Sequence, residues 1–119
     1  MEKKQIIDYI NNQHKGHLTK GNTSYSSINK SKAVWWFNIP VTKFEKDVHL
    51  LLGAKDHSLW VTLPKGFVHN LPANFKIRED KHAVDLEIWA DDDDRYLHDV
   101  KSGGQRFNFS PYLKETIHH

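Results

Sequence analysis

The chain contains no cysteine, which excludes disulfides and thiolate metal sites. It also has no apolar core after Met1-Glu2-Lys3-Lys4. A signal peptide is therefore not expected, and a cytoplasmic location is. No stretch approaches the roughly 18 apolar residues of a membrane-spanning helix, so no membrane partner is expected. G-x-S-x-G, the P-loop, the dinucleotide fingerprint and H-E-x-x-H are all missing. No catalytic residue and no cofactor is assigned. The nine histidines are scattered without ligand spacing, and the acidic run Asp91 to Asp94 lacks the alternating ligands and turn glycine of a calcium loop. No metal site is assigned.

What is present fits one modest domain: 119 residues, 38 % hydrophobic and 27 % charged, ordinary for a soluble fold. Aromatic residues make up 12 %, with four tryptophans, and supply much of the apolar bulk. The net charge is only +2, but it is unevenly placed. Seven lysines stand before Phe44 against Glu2 and Asp8, whereas from Asp85 to Asp99 seven acids face Arg95 alone. A basic patch on a nearly neutral protein attracts phosphate backbones.

Ile6, Ile7 and Ile10 fall at helical spacing, predicting a short helix over residues 2–12 that lies on a sheet. Residues 17–32 are rich in Thr, Ser, Asn, Gly and Lys and predict a flexible loop, with room for a short strand at 24–28. A β-rich body follows over 33–109. Its predicted strands are 33–39, 48–52, 59–63, 75–78, 84–89, 95–100 and 105–109, and 48–52 and 59–63 form a hairpin. Ser110 as cap and Pro111 at the first helical position predict a C-terminal helix over 110–117. The expected fold is α+β: a bent antiparallel sheet or small open β-barrel of five to seven strands with a short helix at each end.

The most informative pattern is a matter of parity. Leu59, Val61 and Leu63 form one apolar face and Val84, Leu86 and Ile88 another. Because strand side chains alternate, Trp60 and Trp89 belong to the opposite, polar faces. Trp36 joins them if Trp35, Phe37 and Ile39 face the core. With Lys76 and Arg78 also outward, this surface offers indoles to stack on bases and cations to hold phosphates. The polar loop, with Lys15, Lys20, Lys30 and Lys32 among Asn22, Ser24, Tyr25, Ser26, Ser27 and Asn29, suits phosphate as well. The leading expectation is a nucleic-acid-binding module, DNA favoured, using Trp60, Trp89, Lys65, Lys76, Arg78, Trp36, Lys30 and Lys32, as one domain of a larger bacterial or phage system. The alternative is a protein–protein interaction domain, homodimer included, whose Trp-rich surface is the interface. A further alternative is a Mg²⁺-dependent nuclease, in which Glu79-Asp80-Lys81 supplies an E-x-K element and Asp56 an upstream acid.

Leu63-Pro64-Lys65-Gly66-Phe67-Val68-His69-Asn70-Leu71, followed by Phe75 to Lys81 and Val84 to Trp89, resembles part of a B3-type DNA-binding domain. Members of that family are seven-stranded open barrels with flanking helices, found in plant transcription factors and restriction-enzyme effector domains, and they place two basic arms in the DNA major groove. The resemblance covers Leu59 to Trp89 only and implies a phosphate contact at Lys65. The chain departs from the pattern in the length that precedes the LPK segment and in the acidic stretch after Trp89.

Overall fold

The isoleucine stripe forms helix α1, Lys3–Gln13, in the computed structural model, which describes residues 1–119. The Glu2 backbone N–H donates to Gln5 Oε1 at 2.8 Å and closes the first turn. After the helix the chain doubles back. A side chain at Gly16 would meet Ile10 Cγ2 at 2.8 Å, so the turn needs glycine. Asn11 then brackets Leu18, donating to its carbonyl at 2.8 Å and accepting from its N–H at 2.9 Å.

Seven strands follow in two sheets. One sheet has four strands in the order β1 (Thr23–Ser27), β3 (Val48–Gly53), β4 (His57–Leu63) and β7 (Leu113–His118). The other has β2 (Val34–Pro40), β6 (Ala83–Trp89) and β5 (Lys76–Arg78). A four-residue helix α2, Leu71–Asn74, begins at Asn70, whose side chain accepts from Ala73 N–H.

The alternating apolar residues of the two sheets meet in the main core. Leu50, Leu52, Leu59, Val61 and Leu63 come from one side, and Trp35, Phe37, Ile39, Val84, Leu86 and Ile88 from the other. Phe75, Leu97 and Phe109 fill the remaining space, and Phe107 packs on Phe109 with ring centroids 4.9 Å apart. Trp35 Nε1–H crosses the core to the Gly53 carbonyl at 3.0 Å. A second core lies on the far side of the four-stranded sheet, where Ile6, Ile7 and Ile10 of α1 cover Leu51, Trp60 and Ile117. The layers are thus helix, four-stranded sheet and three-stranded sheet.

The α+β class and strand-rich body match expectation, and so does the hairpin of β3 and β4. Four details differ. The strands divide between two sheets instead of forming one bent sheet or open barrel. The 17–32 segment is not simply a loop, because Thr23–Ser27 pairs parallel to β3. Residues 95–100 and 105–109 form isolated bridges, Ile88 with Asp99 and His98 with Asn108, instead of strands. Finally, the predicted C-terminal helix stops after the 3₁₀ turn Ser110–Tyr112, and Leu113–His118 becomes β7. The Leu113/Ile117 spacing fits a strand as well as a helix. The exposed edge of β4 needs hydrogen-bond partners, which β7 supplies. Tertiary pairing overrides local propensity there.

Candidate functional site

The parity of Trp60 holds, but its face is not open. The indole is only 8 % exposed and lies under α1. Trp89, at the end of β6, is half-buried. The Arg95 guanidinium carbon sits 3.9 Å from its ring centroid, and its Nε1–H donates to Asp93 Oδ2 at 3.1 Å. These contacts occupy the ring that sequence patterning offers to a ligand. Two of the three expected stacking platforms are therefore engaged within the protein.

The cations divide in the same way. Lys32 Nζ pairs with Glu87 at 2.8 Å, and Arg78 Nη2 pairs with Asp80 at 3.1 Å. The second contact holds the Asp80 carboxyl below its usual range. Lys76 is exposed, its aliphatic stem lying against Gly103. Lys30 is exposed in the turn between β1 and β2, and Lys65 is exposed after β4, its backbone N–H donating to Asp47 Oδ1 at 2.9 Å. The expected set does not converge on one surface. Trp36, Lys32, Lys76 and Arg78 belong to the three-stranded sheet or its margin, whereas Lys65 leaves the four-stranded one.

Trp36 is the indole that remains available. It is 44 % exposed, on the outer face of β2. Its Nε1–H donates to Asp85 Oδ1 at 2.7 Å, and Asp85 is buried with Lys101 Nζ at 3.5 Å from its other oxygen. The ring is therefore both accessible and held.

Trp36 lines an open groove of about 620 Å³ between β1 and β2. The two strands touch at the Ile28–Trp35 bridge but belong to different sheets, each as an edge strand. Tyr25 and Ile28, both exposed, line the β1 side. Ser26 Oγ accepts from the Trp36 backbone N–H at 3.1 Å. Asn38, in the same lining, has a buried side-chain amide nitrogen without a hydrogen-bond partner.

Lys3 borders this groove. Its Nζ reaches the Lys20 carbonyl at 3.4 Å, and Lys43 Nζ lies beside Gly21. Burial, followed by repulsion from Lys20 and Lys43, lowers the Lys3 ammonium below its usual pKa. None of the three lysines has an ion-pair partner within the protein. Lys43 and Lys46 share a neighbouring depression with Glu45 and Asp47, and Lys46 and Lys65 share the next one with Asp47, His17 and His49.

Lys3 and Lys43 are the residues sequence patterning misses as a site, whereas Lys20 and Tyr25 lie in the polar loop whose composition suits phosphate. The lysine-rich start of the chain was a signal for charge but not for proximity. The nuclease alternative has its acids in two separate turns. Asp56 lies between β3 and β4 and bonds to His57 at 2.7 Å, while Glu79 and Lys81 lie between β5 and β6. No group of three or more His, Asp or Glu side chains is placed to hold a metal ion.

Comparison with protein-family models, curated proteins and solved structures finds no match. No helix is long and apolar enough to cross a membrane.

Proposed function

We propose that this protein is a nucleic-acid-binding module that holds phosphates with lysines and presents an aromatic groove beside them. The lysine trio carries the proposal. Lys3, Lys20 and Lys43 come from α1, the turn before β1 and the 3₁₀ turn Val41–Glu45, and they meet without a carboxylate partner. Gathering like charges disfavours folding, and a polyanion offsets that cost by replacing condensed counterions with these ammonium groups. The exposed Lys46 and Lys65 extend the basic surface away from the groove. The resemblance of residues 59–89 to B3-type domains favours DNA.

A protein partner is the second reading, favoured by the edges of β1 and β2, which belong to different sheets and touch at the Ile28–Trp35 bridge, because an extended strand can pair with an edge strand.

Salt-titrated anisotropy with labelled oligonucleotides tests the proposal. Affinity is expected to fall log-linearly with salt. Replacing Lys3, Lys20 and Lys43 together by Ala is expected to reduce the slope by about 2–3, at roughly 0.7–0.9 per phosphate contact. An unchanged slope, or no binding at about 50 mM salt, rules it out.

A further inference from the structure

We infer that the groove between β1 and β2 takes a single-stranded nucleic-acid segment, with an unpaired base on the Trp36 indole and Lys3 on a neighbouring phosphate. This rests on the function proposed above and goes further by assigning the strand state and the base-stacking residue.

Exposure alone would make Trp36 an ordinary surface aromatic. What distinguishes it is fixation. The 2.7 Å hydrogen bond to Asp85 ties its edge to a buried carboxylate, leaving the ring available to the groove it lines. An aromatic already held in one orientation loses little side-chain entropy when a ligand stacks on it. In a duplex the base faces are covered by neighbouring pairs, so only an unstacked base can lie against an indole.

The remaining groups suit the same occupant. Tyr25 is exposed on the β1 wall, with its ring lying against Gly53. Lys3 belongs both to the groove and to the lysine trio, so charge continues from the basic surface into the groove. The carboxylates behind Trp36 are already engaged: Asp85 by Trp36 and Lys101, and Glu87 by Lys32. Their repulsion of a phosphate chain is correspondingly reduced.

Binding of a single-stranded oligothymidylate and of a mixed-sequence duplex, each followed by anisotropy and tryptophan emission, tests the inference. Trp35 and Trp60 are buried and Trp89 lies under Arg95, so quenching reports chiefly on Trp36. The single strand is expected to bind more tightly and to quench emission. Trp36→Ala is expected to weaken single-strand binding about tenfold, with duplex binding unchanged. Trp36→Phe, which keeps a ring, is expected to recover most of the loss. Circular dichroism and thermal melting establish that the variants are folded.

Single-strand affinity that is unchanged in folded Trp36→Ala overturns the inference, as does preference for the duplex. If both nucleic acids bind equally and only the lysine variants matter, the proposed function stands and this inference falls. If neither binds at about 50 mM salt, both fall. A polyglutamate peptide bound with the same Trp36 dependence, where the oligothymidylate is not, assigns the groove to a protein ligand and overturns the inference.

Discussion

The indole N–H of Trp60 donates to Nδ1 of His49 at 3.2 Å, beneath helix α1. Thr62 Oγ1 lies 2.9 Å from the same nitrogen. Indole can only donate, so Nδ1 is the acceptor and the imidazole is neutral, with its proton on Nε2. Protonation would set two N–H groups against each other.

His49 is accordingly expected to titrate below its usual range. Burial is the main cause; Lys114 adds to it and Asp47 opposes it. The sign for stability follows. The unfolded chain takes up a proton near pH 6.5, and the folded chain resists until lower pH, so stability falls as pH drops through that interval. His49→Gln keeps an acceptor but does not titrate. The stability of wild type minus variant, measured by urea unfolding at pH 8 and pH 5, is expected to shrink toward the acid end. A constant difference would contradict the assigned tautomer.

Asp99 shifts in the opposite direction. Its Oδ1 accepts from the backbone N–H groups of Glu87 and Lys101 at 3.2 and 3.1 Å, while buried Oδ2 has no partner. Any side chain at Gly104 would press on that oxygen, an added Cβ lying 2.7 Å away. Burial pushes the carboxyl up to about 6; the Glu87 and Asp85 carboxylates add to this, and the two N–H donors oppose it. The folded state therefore holds the proton longer than the unfolded state, and stability falls as pH rises from about 4 to above 6. Two pKa units correspond to about 3 kcal/mol. The stability of Asp99→Asn relative to wild type is expected to improve by up to that amount between pH 4 and pH 7. A pH-independent difference in chemical denaturation would show that the carboxyl is solvated.

Trp35 links the sheets through its bond to the Gly53 carbonyl. Trp35→Phe removes a buried hydrogen bond and part of the ring volume. It is expected to cost about 2–4 kcal/mol, combining the orphaned acceptor with a small cavity. A loss well under 1 kcal/mol in equilibrium unfolding would mean that the sheets are not joined there.

Much of the core was legible before the fold was known. The alternation of Leu59, Val61 and Leu63, and of Val84, Leu86 and Ile88, identifies inward faces because period two is a local property of one strand. Trp36 and Trp60 both stand on the opposite faces, as that parity requires. The lysine trio was not legible, since its members are separated by 17 and 23 residues and meet only when α1 and the 3₁₀ turn pack beside the loop. The segment 113–118 differs from its sequence expectation for a related reason: the Leu113/Ile117 spacing fits a strand as well as a helix, and the neighbouring edge of β4 makes the choice.

The sequence by itself determined which side chains alternate, where the isoleucine stripe lies, and that no thiol chemistry is possible. Tertiary structure alone decided which outward faces are covered. α1 lies across Trp60, Arg95 closes over Trp89, and Trp36 stays open between two strand edges. Periodicity assigns a side chain to one side of a strand. What then covers that side comes from distant parts of the chain, brought there by the burial of their own apolar surface.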